Sequence, residues 1–274
     1  QGHGLLPYAI ERPFDSEVQM RRYAPADVSS VLEELLAEPS LARGVVHHET
    51  IPARPAATAP LPAWLDERIV RGLRSRGIES LYTHQAEAVE AVRAGEDVVV
   101  VTPTASGKTL AFNLPVLDAL ARDPHARAIY LYPTKALAQD QFRTLAGYGL
   151  STLRPAIYDG DTPTDQRGAL RRSARVLLTN PDMLHASFLP DHARWADFFL
   201  RLSLVVIDEA HVARGVFGSH VAMIVRRLGR VVARYGGDPR FVLASATIGN
   251  PAAANPTTVD GPVEASRMQE GMSW

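Results

Sequence analysis

The chain has 274 residues, of which 46% are hydrophobic and 22% charged, with a formal net charge of -1. This composition is typical of a soluble globular protein with room for one large domain or two small ones. The balanced charge excludes a global basic footprint, and the absence of cysteine excludes disulfides and thiolate metal sites. No export signal and no apolar run of about 18 residues is present, so we expect neither secretion nor a membrane span, and a cytoplasmic location.

Three stretches of different composition predict the domain organisation. Residues 1–60 contain a predicted short helix in DVSSVLEELLAE (27–38) and most of the Pro/Ala-rich IPARPAATAPLP (51–62), so we expect an N-terminal extension and linker. Residues 61–250 have the dense apolar patterning of a folded domain. Residues 251–274 are rich in Pro, Ala and small polar residues without a sustained period, which predicts a loop or disordered tail.

Helical patterns come first in residues 61–250 and then alternate with apolar runs. Helices are predicted in AWLDERIVRGLRSRG (63–77) and HQAEAVEAVRAG (84–95), followed by the strand DVVVVT (97–102). Helical segments, the last of them VAMIVRRLGRVVARY (221–235), separate the later strands RAIYLY, RPAIYD, RVLLT, LSLVVID and RFVLAS. Strands that are apolar throughout belong in a parallel sheet covered on both faces. The predicted fold class is therefore α/β, a mostly parallel doubly wound sheet with helices on both faces.

The stretch TPTASGKTL (102–110) joins a predicted strand to a helical pattern. A loop of small residues with Gly-Lys-Thr at a helix start is suited to hold nucleotide phosphates, because backbone N–H groups and the positive helix end face the anion. Lys108 would neutralise phosphate charge and Thr109 would hold Mg²⁺. The pattern G-x-x-x-x-G-K-[ST] is broken at Thr102, and an ordinary Gly-Lys-Thr at a helix start is the alternative. The predicted ATP-binding loop comprises Thr104, Ala105, Ser106, Gly107, Lys108 and Thr109.

The stretch VVIDEAH (205–211) ends an apolar strand with two adjacent carboxylates. A parallel sheet presents its ligand-binding edge where the strands end. Asp208 is therefore predicted to reach Mg²⁺, and Glu209 to orient or deprotonate the water that attacks the γ-phosphate. Two solvated acids at a helix start are the alternative, which is less favoured because the phosphate loop occurs in the same chain.

Six motifs occur in the order found in superfamily 2 helicases and translocases with a DEAH-type core, which the chain resembles from about residue 62 to about residue 250. LYTHQ matches the Q-motif, TPTASGKT motif I, PTKALAQDQ motif Ia, TNPDML the later TxP-type motif, DEAH motif II and SAT motif III. Within the superfamily, DEAHVARGVFGSHVAMIVRRL, LYTHQAEAV and TPTASGKTLAFNLPVL resemble the YprA/MrfA (Hrq-like) branch of DNA helicases.

This resemblance implies a RecA-like P-loop domain, ATP and Mg²⁺ as cofactors, and ATP-driven 3′ to 5′ movement on single-stranded DNA in DNA repair. It places Gln85 against the adenine edge and His211 in the ATP site. It also gives Ser245 and Thr247 of SAT a role in coupling the γ-phosphate state to the strand-binding surface, although a polar turn after a buried strand is the alternative. The residues implied in binding the DNA backbone are Pro133, Thr134, Lys135, Gly160, Thr179 and Asn180.

Two departures from the family pattern concern the nucleotide site. The aromatic residue that stacks on adenine has no clear counterpart; Trp64 and Tyr82 are candidates, and Tyr82 suits a core position equally well. The chain ends within about 25 residues of SAT, so the second RecA-like lobe, which supplies the transition-state arginine, is expected to be missing.

The predicted function is the ATP-binding motor lobe of an ATP-dependent DNA helicase, with single-stranded DNA and the second RecA-like lobe as partners. The isolated chain is expected to be weakly active or inactive. The alternative is a non-enzymatic module that binds nucleotide and single-stranded DNA without turnover. Instead of contacting DNA, Lys135 could be a solvated lysine at a helix start, and Thr134 could be the N-cap of that helix. A P-loop ATPase acting on protein is disfavoured because PTKALAQDQ and TNPDML occur together.

Overall fold

The computed structural model describes residues 28–47, 49, 55–102, 106–246 and 265–267. The chain divides into two units, residues 1–55 and residues 56–274. In the first unit, helix α1 (Val28–Ala37) forms where the sequence predicts one, and a short helix α2 (Pro39–Ala42) follows it.

A six-stranded parallel sheet organises the second unit, with strand order β5-β6-β4-β7-β8-β3. Helices alternate with these strands, and a separate antiparallel pair, β1 and β2, precedes them. The elements are β1 (Thr58–Pro60), α3 (Glu67–Arg74), β2 (Ser80–Tyr82), α4 (Thr83–Arg93), β3 (Val98–Val101), α5 (Lys108–Arg122), β4 (Arg127–Leu131), α6 (Lys135–Ala146), β5 (Pro155–Ile157), α7 (Thr164–Ser173), β6 (Val176–Thr179), α8 (Pro181–Met183), α9 (Ala196–Leu200), β7 (Leu202–Ile207), α10 (Gly215–Arg234), β8 (Arg240–Ser245) and β9 (Ala265–Arg267).

Two hydrophobic cores lie on opposite faces of the sheet. Along β4, Ala128 and Tyr130 belong to one core and Ile129 and Leu131 to the other, as the two-residue period of a strand requires. Helices α4, α5 and α6 supply the first core, and the second contains the aromatic residues of segment 188–199 together with α10. Strands covered on both faces are apolar at every position, so the predicted parallel α/β sheet is confirmed.

The boundary of the second unit falls earlier than the predicted one at residue 60. Thr58–Pro60, which the sequence analysis assigned to the linker, form β1 and pair antiparallel with β2, with Thr58 opposite Tyr82. Residues 265–267, within the tail predicted as loop or disorder, instead form β9, which pairs antiparallel with β3 at the sheet edge. The other residues of that tail lie outside the described part of the chain.

Several helices differ in length from the predictions for local reasons. The helix predicted over 63–77 is limited to α3, because the Asp66 carboxylate accepts the Arg68 N–H and caps its start. Helix α10 begins at Gly215, six residues before the prediction, since two glycines in GVFGSH obscure the helical pattern. The helical segment predicted between RVLLT and LSLVVID begins as α8 and continues as a wider π-helical turn, Leu184–Phe188. In the described ranges no helix combines the length and the apolar character needed to cross a membrane.

Arg175 holds the amino end of the sheet together. Its guanidinium donates to the backbone carbonyls of Ala126 (3.2 Å), Thr152 (3.1 Å) and Leu120 (2.9 Å), while burial lowers its pKa. We expect Arg175→Met to lower the free energy of unfolding by about 2–4 kcal/mol, because these buried carbonyls lose their donors. Urea denaturation measures this change.

The matched control is Arg172→Met, because the Arg172 side chain is exposed near the end of α7, three residues before Arg175. It is expected to change the stability by less than about 0.5 kcal/mol. Equal losses for the two variants would show that the buried guanidinium has no special role.

Candidate functional site

The motif-bearing loops follow strands that run parallel, so they meet at one edge of the sheet. From β3 inwards, this carboxyl edge carries the loop at Thr102–Thr109, then Ser245, then Asp208, then Pro133, then Asn180, and finally Asp159. The residues predicted for nucleotide chemistry follow β3, β8 and β7. Those predicted for the DNA backbone follow β4, β6 and β5.

The loop after β3 is shaped by Gly107 at the start of α5. Gly107 has φ +78°, and a Cβ there would lie 2.6 Å from Gln85 Nε2, so glycine is required for both conformation and space. Lys108 Nζ donates to the Thr102 carbonyl at 2.9 Å, and the Thr102 and Ser106 hydroxyls hydrogen-bond to each other. Thr102 stands at the position where the motif has its first glycine, and its hydroxyl therefore contributes a contact that glycine could not make. Thr104 and Ala105 lie outside the described residues.

Gln85 connects α4 to the phosphate loop. It is buried, its Oε1 accepts the Tyr82 backbone N–H at 2.9 Å, and its Nε2 donates to the Gly107 carbonyl at 2.7 Å. These two hydrogen bonds fix the loop against the start of α4. The role of Gln85 at an adenine edge stays a prediction.

The two candidate stacking residues have different surroundings. The Tyr82 ring is exposed beside the phosphate loop and stacks on His84 with a centroid distance of 5.7 Å. Trp64 lies under the Arg93 guanidinium, 3.9 Å from the ring centroid, and donates to Glu90. Glu90 and Arg93 are near the end of α4 remote from Gln85, so Tyr82 is the candidate that lies next to the site.

Asp208 and Glu209 form an acidic pair that burial makes electrostatically unfavourable. The pKa of Asp208 is raised to about 6, chiefly by burial and also by the charge of Glu209, while the Glu209 N–H, Lys108 and His211 oppose the shift. Glu209 adopts φ +52°, an uncommon conformation for a residue with a side chain, and its N–H donates to Asp208 Oδ1 at 2.8 Å. The turn therefore fixes the directions of the two carboxylates.

His211 links motif II to motif III. Its Nδ1 lies 3.0 Å from Glu209 Oε2 and 3.4 Å from the Ala246 backbone N. One ring nitrogen cannot donate to Glu209 and accept from Ala246 at the same time, so the two contacts exclude each other. Ser245 is fully buried, and its hydroxyl donates to the Ala246 carbonyl at 2.8 Å. Thr247 lies outside the described residues.

The start of α6 is the exposed centre of the predicted strand-binding surface. The Thr134 hydroxyl accepts from Leu137 N at 3.4 Å as the helix N-cap, so that alternative is realised. Lys135 Nζ lies 2.5 Å from Asp161 Oδ2, and both side chains are largely exposed. Pro133 is partly exposed, and Gly160 is exposed with no neighbour within 4 Å of a Cβ position, so backbone access there is open.

The two residues after β6 differ in accessibility. Asn180 is partly exposed, and its side chain accepts the Met183 N–H at 2.8 Å as the cap of α8. Thr179 is 2% exposed, and its hydroxyl oxygen is buried without a hydrogen-bond partner. In this conformation the Thr179 hydroxyl is therefore out of reach of a strand on the surface, and the predicted role of Thr179 in binding the DNA backbone stays a prediction.

Two site residues escaped the sequence analysis. Asp161 directly follows Gly160, a predicted contact of the DNA backbone. An acidic residue at that place in the sequence could have indicated a partner for a nearby basic residue. Asn113 is an isolated polar residue in the apolar stretch AFNLPVLDAL, and its position on a helix that starts at the phosphate loop was the corresponding signal.

A family model described as DEAD/DEAH box helicase matches residues 82–254. The ATP-dependent helicase YprA of Bacillus subtilis is 49% identical over 224 residues, 80% of this chain and 30% of that protein. The ATP-dependent helicase HRQ1 of Saccharomyces cerevisiae is 39% identical over 82% of this chain and 21% of that protein. The predicted resemblance is confirmed, and the chain spans about a fifth to a third of the length of these relatives.

Solved structures give the same result for the fold. The DUF1998 helicase MrfA bound to DNA and AMPPNP matches with a TM-score of 0.71 and 51% identity, covering 73% of this chain and 29% of that chain. The DEAD-box helicase Mss116 bound to single-stranded RNA matches with a TM-score of 0.59 and 20% identity, a likeness of fold alone. The predicted RecA-like architecture is therefore confirmed.

Asp208→Asn is expected to raise the free energy of unfolding by about 1–3 kcal/mol at about pH 7.5. Burial raises the pKa of Asp208 from 3.8 to about 6, so between these values the folded state holds a proton that the unfolded chain has lost. Stability therefore falls as pH rises through this window, and asparagine removes the loss while its oxygen still accepts the Glu209 N–H.

Urea denaturation of both proteins across this pH range measures the effect. The difference in stability should shrink towards about pH 4, where Asp208 is protonated in the folded state. A difference that stays constant with pH would contradict the raised pKa.

Proposed function

Because the chain belongs to the DEAD/DEAH box helicase family, we propose that its second unit is a motor lobe that binds Mg²⁺-ATP and single-stranded DNA along one sheet edge. The observation that supports this most directly is the order of motifs along that edge. Motifs I, III and II follow the adjacent strands β3, β8 and β7, and motif Ia follows β4, which pairs with β7. Nucleotide chemistry and strand binding therefore occupy neighbouring halves of the same surface.

The residues at the first half fit a magnesium nucleotide. Gly107 leaves no room for a side chain where the loop turns into α5, and that 15-residue helix directs its positive end at the loop. The raised pKa of Asp208 marks a buried carboxylate short of positive charge, which a divalent cation would supply. We assign the metal to Thr109 and Asp208, and the phosphates to Lys108 and the N–H groups of the loop.

Glu209 and His211 are assigned to the water that attacks the terminal phosphate. The bound cation would neutralise charge on the transferred phosphoryl group. Glu209 would orient this water or accept its proton, and the strained turn holds its carboxylate in place. His211 can bond Glu209 or the backbone of Ala246 but not both, so exchange between these partners would connect motif II to Ser245 and Thr247 of motif III.

The second half would hold the DNA backbone through local groups. Lys135, Thr134, Pro133 and Gly160 lie on the exposed part of the edge, and Asn180 borders it. The chain has only two lysines, and Lys135 is already fixed by Asp161. An exposed ion pair of this kind contributes at most about 1 kcal/mol, so a phosphate can replace the Asp161 carboxylate at little expense.

The whole enzyme extends beyond this lobe. The chain covers 30% of YprA and 29% of MrfA, and MrfA has been crystallised with DNA and AMPPNP. We propose that a second RecA-like lobe completes the ATP site and that the complete protein is a 3′ to 5′ DNA helicase acting in repair. An arginine supplied by such a lobe is worth about 10³–10⁵ in rate, so this chain alone should turn over slowly.

A second candidate function is binding of nucleotide and single-stranded DNA without turnover. It shares the same ligands and differs only in the role of Glu209. Measuring binding and hydrolysis separately distinguishes the two.

Two substitutions test the nucleotide site. Lys108→Ala should weaken binding of fluorescent mant-ATP with Mg²⁺ at least about tenfold, because a charge-assisted contact to phosphate is lost. Glu209→Gln should leave that affinity nearly unchanged and slow single-turnover hydrolysis of radiolabelled ATP about 10²–10⁴-fold. Hydrolysis that persists in Glu209→Gln would exclude this base, and nucleotide binding without any hydrolysis by the unmodified chain would favour the binding module.

Two further substitutions test the strand-binding half, one that removes a positive charge and one that removes a negative charge. Lys135→Ala should weaken binding of fluorescein-labelled oligo(dT) and reduce the slope of log affinity against log salt by about 0.7, the contribution of one phosphate contact. Asp161→Asn should tighten binding at low salt, because it frees Lys135 and removes a negative charge. If Asp161→Asn weakened binding, the carboxylate would be orienting Lys135 rather than competing with phosphate.

A further inference from the structure

Asn113 is the meeting point of three elements in the buried core. Its side chain is inaccessible to solvent, and its Oδ1 accepts from the Tyr130 hydroxyl at 2.9 Å and from Gln141 Nε2 at 2.6 Å. Asn113 belongs to α5, Tyr130 to β4 and Gln141 to α6. A single carbonyl oxygen therefore joins the helix that follows the phosphate loop to the helix that carries Lys135.

Each of the three elements has one end in the proposed site. Helix α5 begins at Lys108, about one and a half turns before Asn113. Helix α6 begins at Lys135, less than two turns before Gln141. Strand β4 leads through Tyr132 into Pro133. A displacement of the start of α5 thus has a short and direct path to the start of α6.

Asn113, Tyr130 and Gln141 form a polar junction within a largely apolar core, so the presence of these polar groups needs a reason. Phe112 and Leu114 flank Asn113, and the other buried positions of α6 are Ala138 and Leu145. Apolar side chains at 113 and 141 would pack the same space without polar groups to satisfy. Directional hydrogen bonds differ from apolar contacts in fixing one relative position of the packed helices.

We propose that Asn113 is a positioning residue that, through Gln141, transmits the nucleotide-dependent position of α5 to the DNA-binding start of α6. This inference rests on the proposed function, since it requires nucleotide at the start of α5. Asn113 touches neither ligand and acts through the helix that contains it. Tyr130 fixes the carboxamide from the strand side, so that movement of α5 is passed on to α6.

The test replaces the polar junction with an apolar one. Asn113→Leu alone leaves the Tyr130 hydroxyl and the Gln141 amide buried without this acceptor, and we expect the variant to lose stability for that reason alone. The combination of Asn113→Leu, Gln141→Leu and Tyr130→Phe removes these two donors together with their acceptor, so that neither donor is left buried without a partner. Leu145→Ala is the matched control, because it weakens the same buried face of α6 without changing the junction.

Amide hydrogen exchange with and without Mg²⁺-AMPPNP provides a readout that a purely structural role would not change. In the unmodified chain and in Leu145→Ala, the nucleotide should slow exchange in α5 and in α6. In the triple variant it should slow exchange in α5 only. In the unmodified chain the nucleotide should also tighten binding of oligo(dT), and the triple variant should lose this effect.

The outcomes separate this inference from the function on which it rests. Slowing in α6 that survives in the triple variant, or an unmodified chain that shows slowing in α5 alone, would overturn the role of Asn113 while nucleotide binding stands. No nucleotide effect on α5 of the unmodified chain would instead refute the proposed nucleotide site.

Discussion

The parallel alignment of six strands is the constraint on which the rest of the structure depends. It brings every strand's carboxyl end to one edge, so loops distant in sequence become neighbours there. It also places helices on the faces of the sheet, because each connection between parallel strands must run back over one face to the start of the next strand. The two hydrophobic cores are the consequence, and the rigidity of the edge comes from them.

Several features of the edge reduce stability in favour of geometry. Burial raises the pKa of Asp208 above its usual range, Glu209 adopts a left-handed backbone conformation, and a Cβ at Gly107 would lie against the Gln85 amide. In a loop without a function, other residues at these positions would avoid the buried charge and the unusual backbone conformations. Their concentration at the ends of β3 and β7 is the pattern expected where strain and buried charge serve chemistry.

The proposed strand-binding half would depend on local arrangement rather than on total charge. With a net charge of -1 the chain has no long-range field to attract DNA. Helix α6 instead presents Thr134 and Lys135 at its start, where Lys135 pairs with Asp161. Within the core, Asn113 accepts hydrogen bonds from Tyr130 and Gln141 and so connects α5 with β4 and α6.

The sequence by itself determined the parallel α/β class, most strands and the motif positions, because apolar runs and Gly-Lys-Thr or Asp-Glu pairs are local patterns. Only the tertiary structure decided which polar groups face one another. The Lys135–Asp161 pair and the Asn113–Gln141 bond each join residues that are remote in sequence. The burial of Thr179 depends on the elements that pack around its strand. Strands β1, β2 and β9 were missed for the same reason, since three-residue strands are defined by their pairing partners and not by a periodicity of their own.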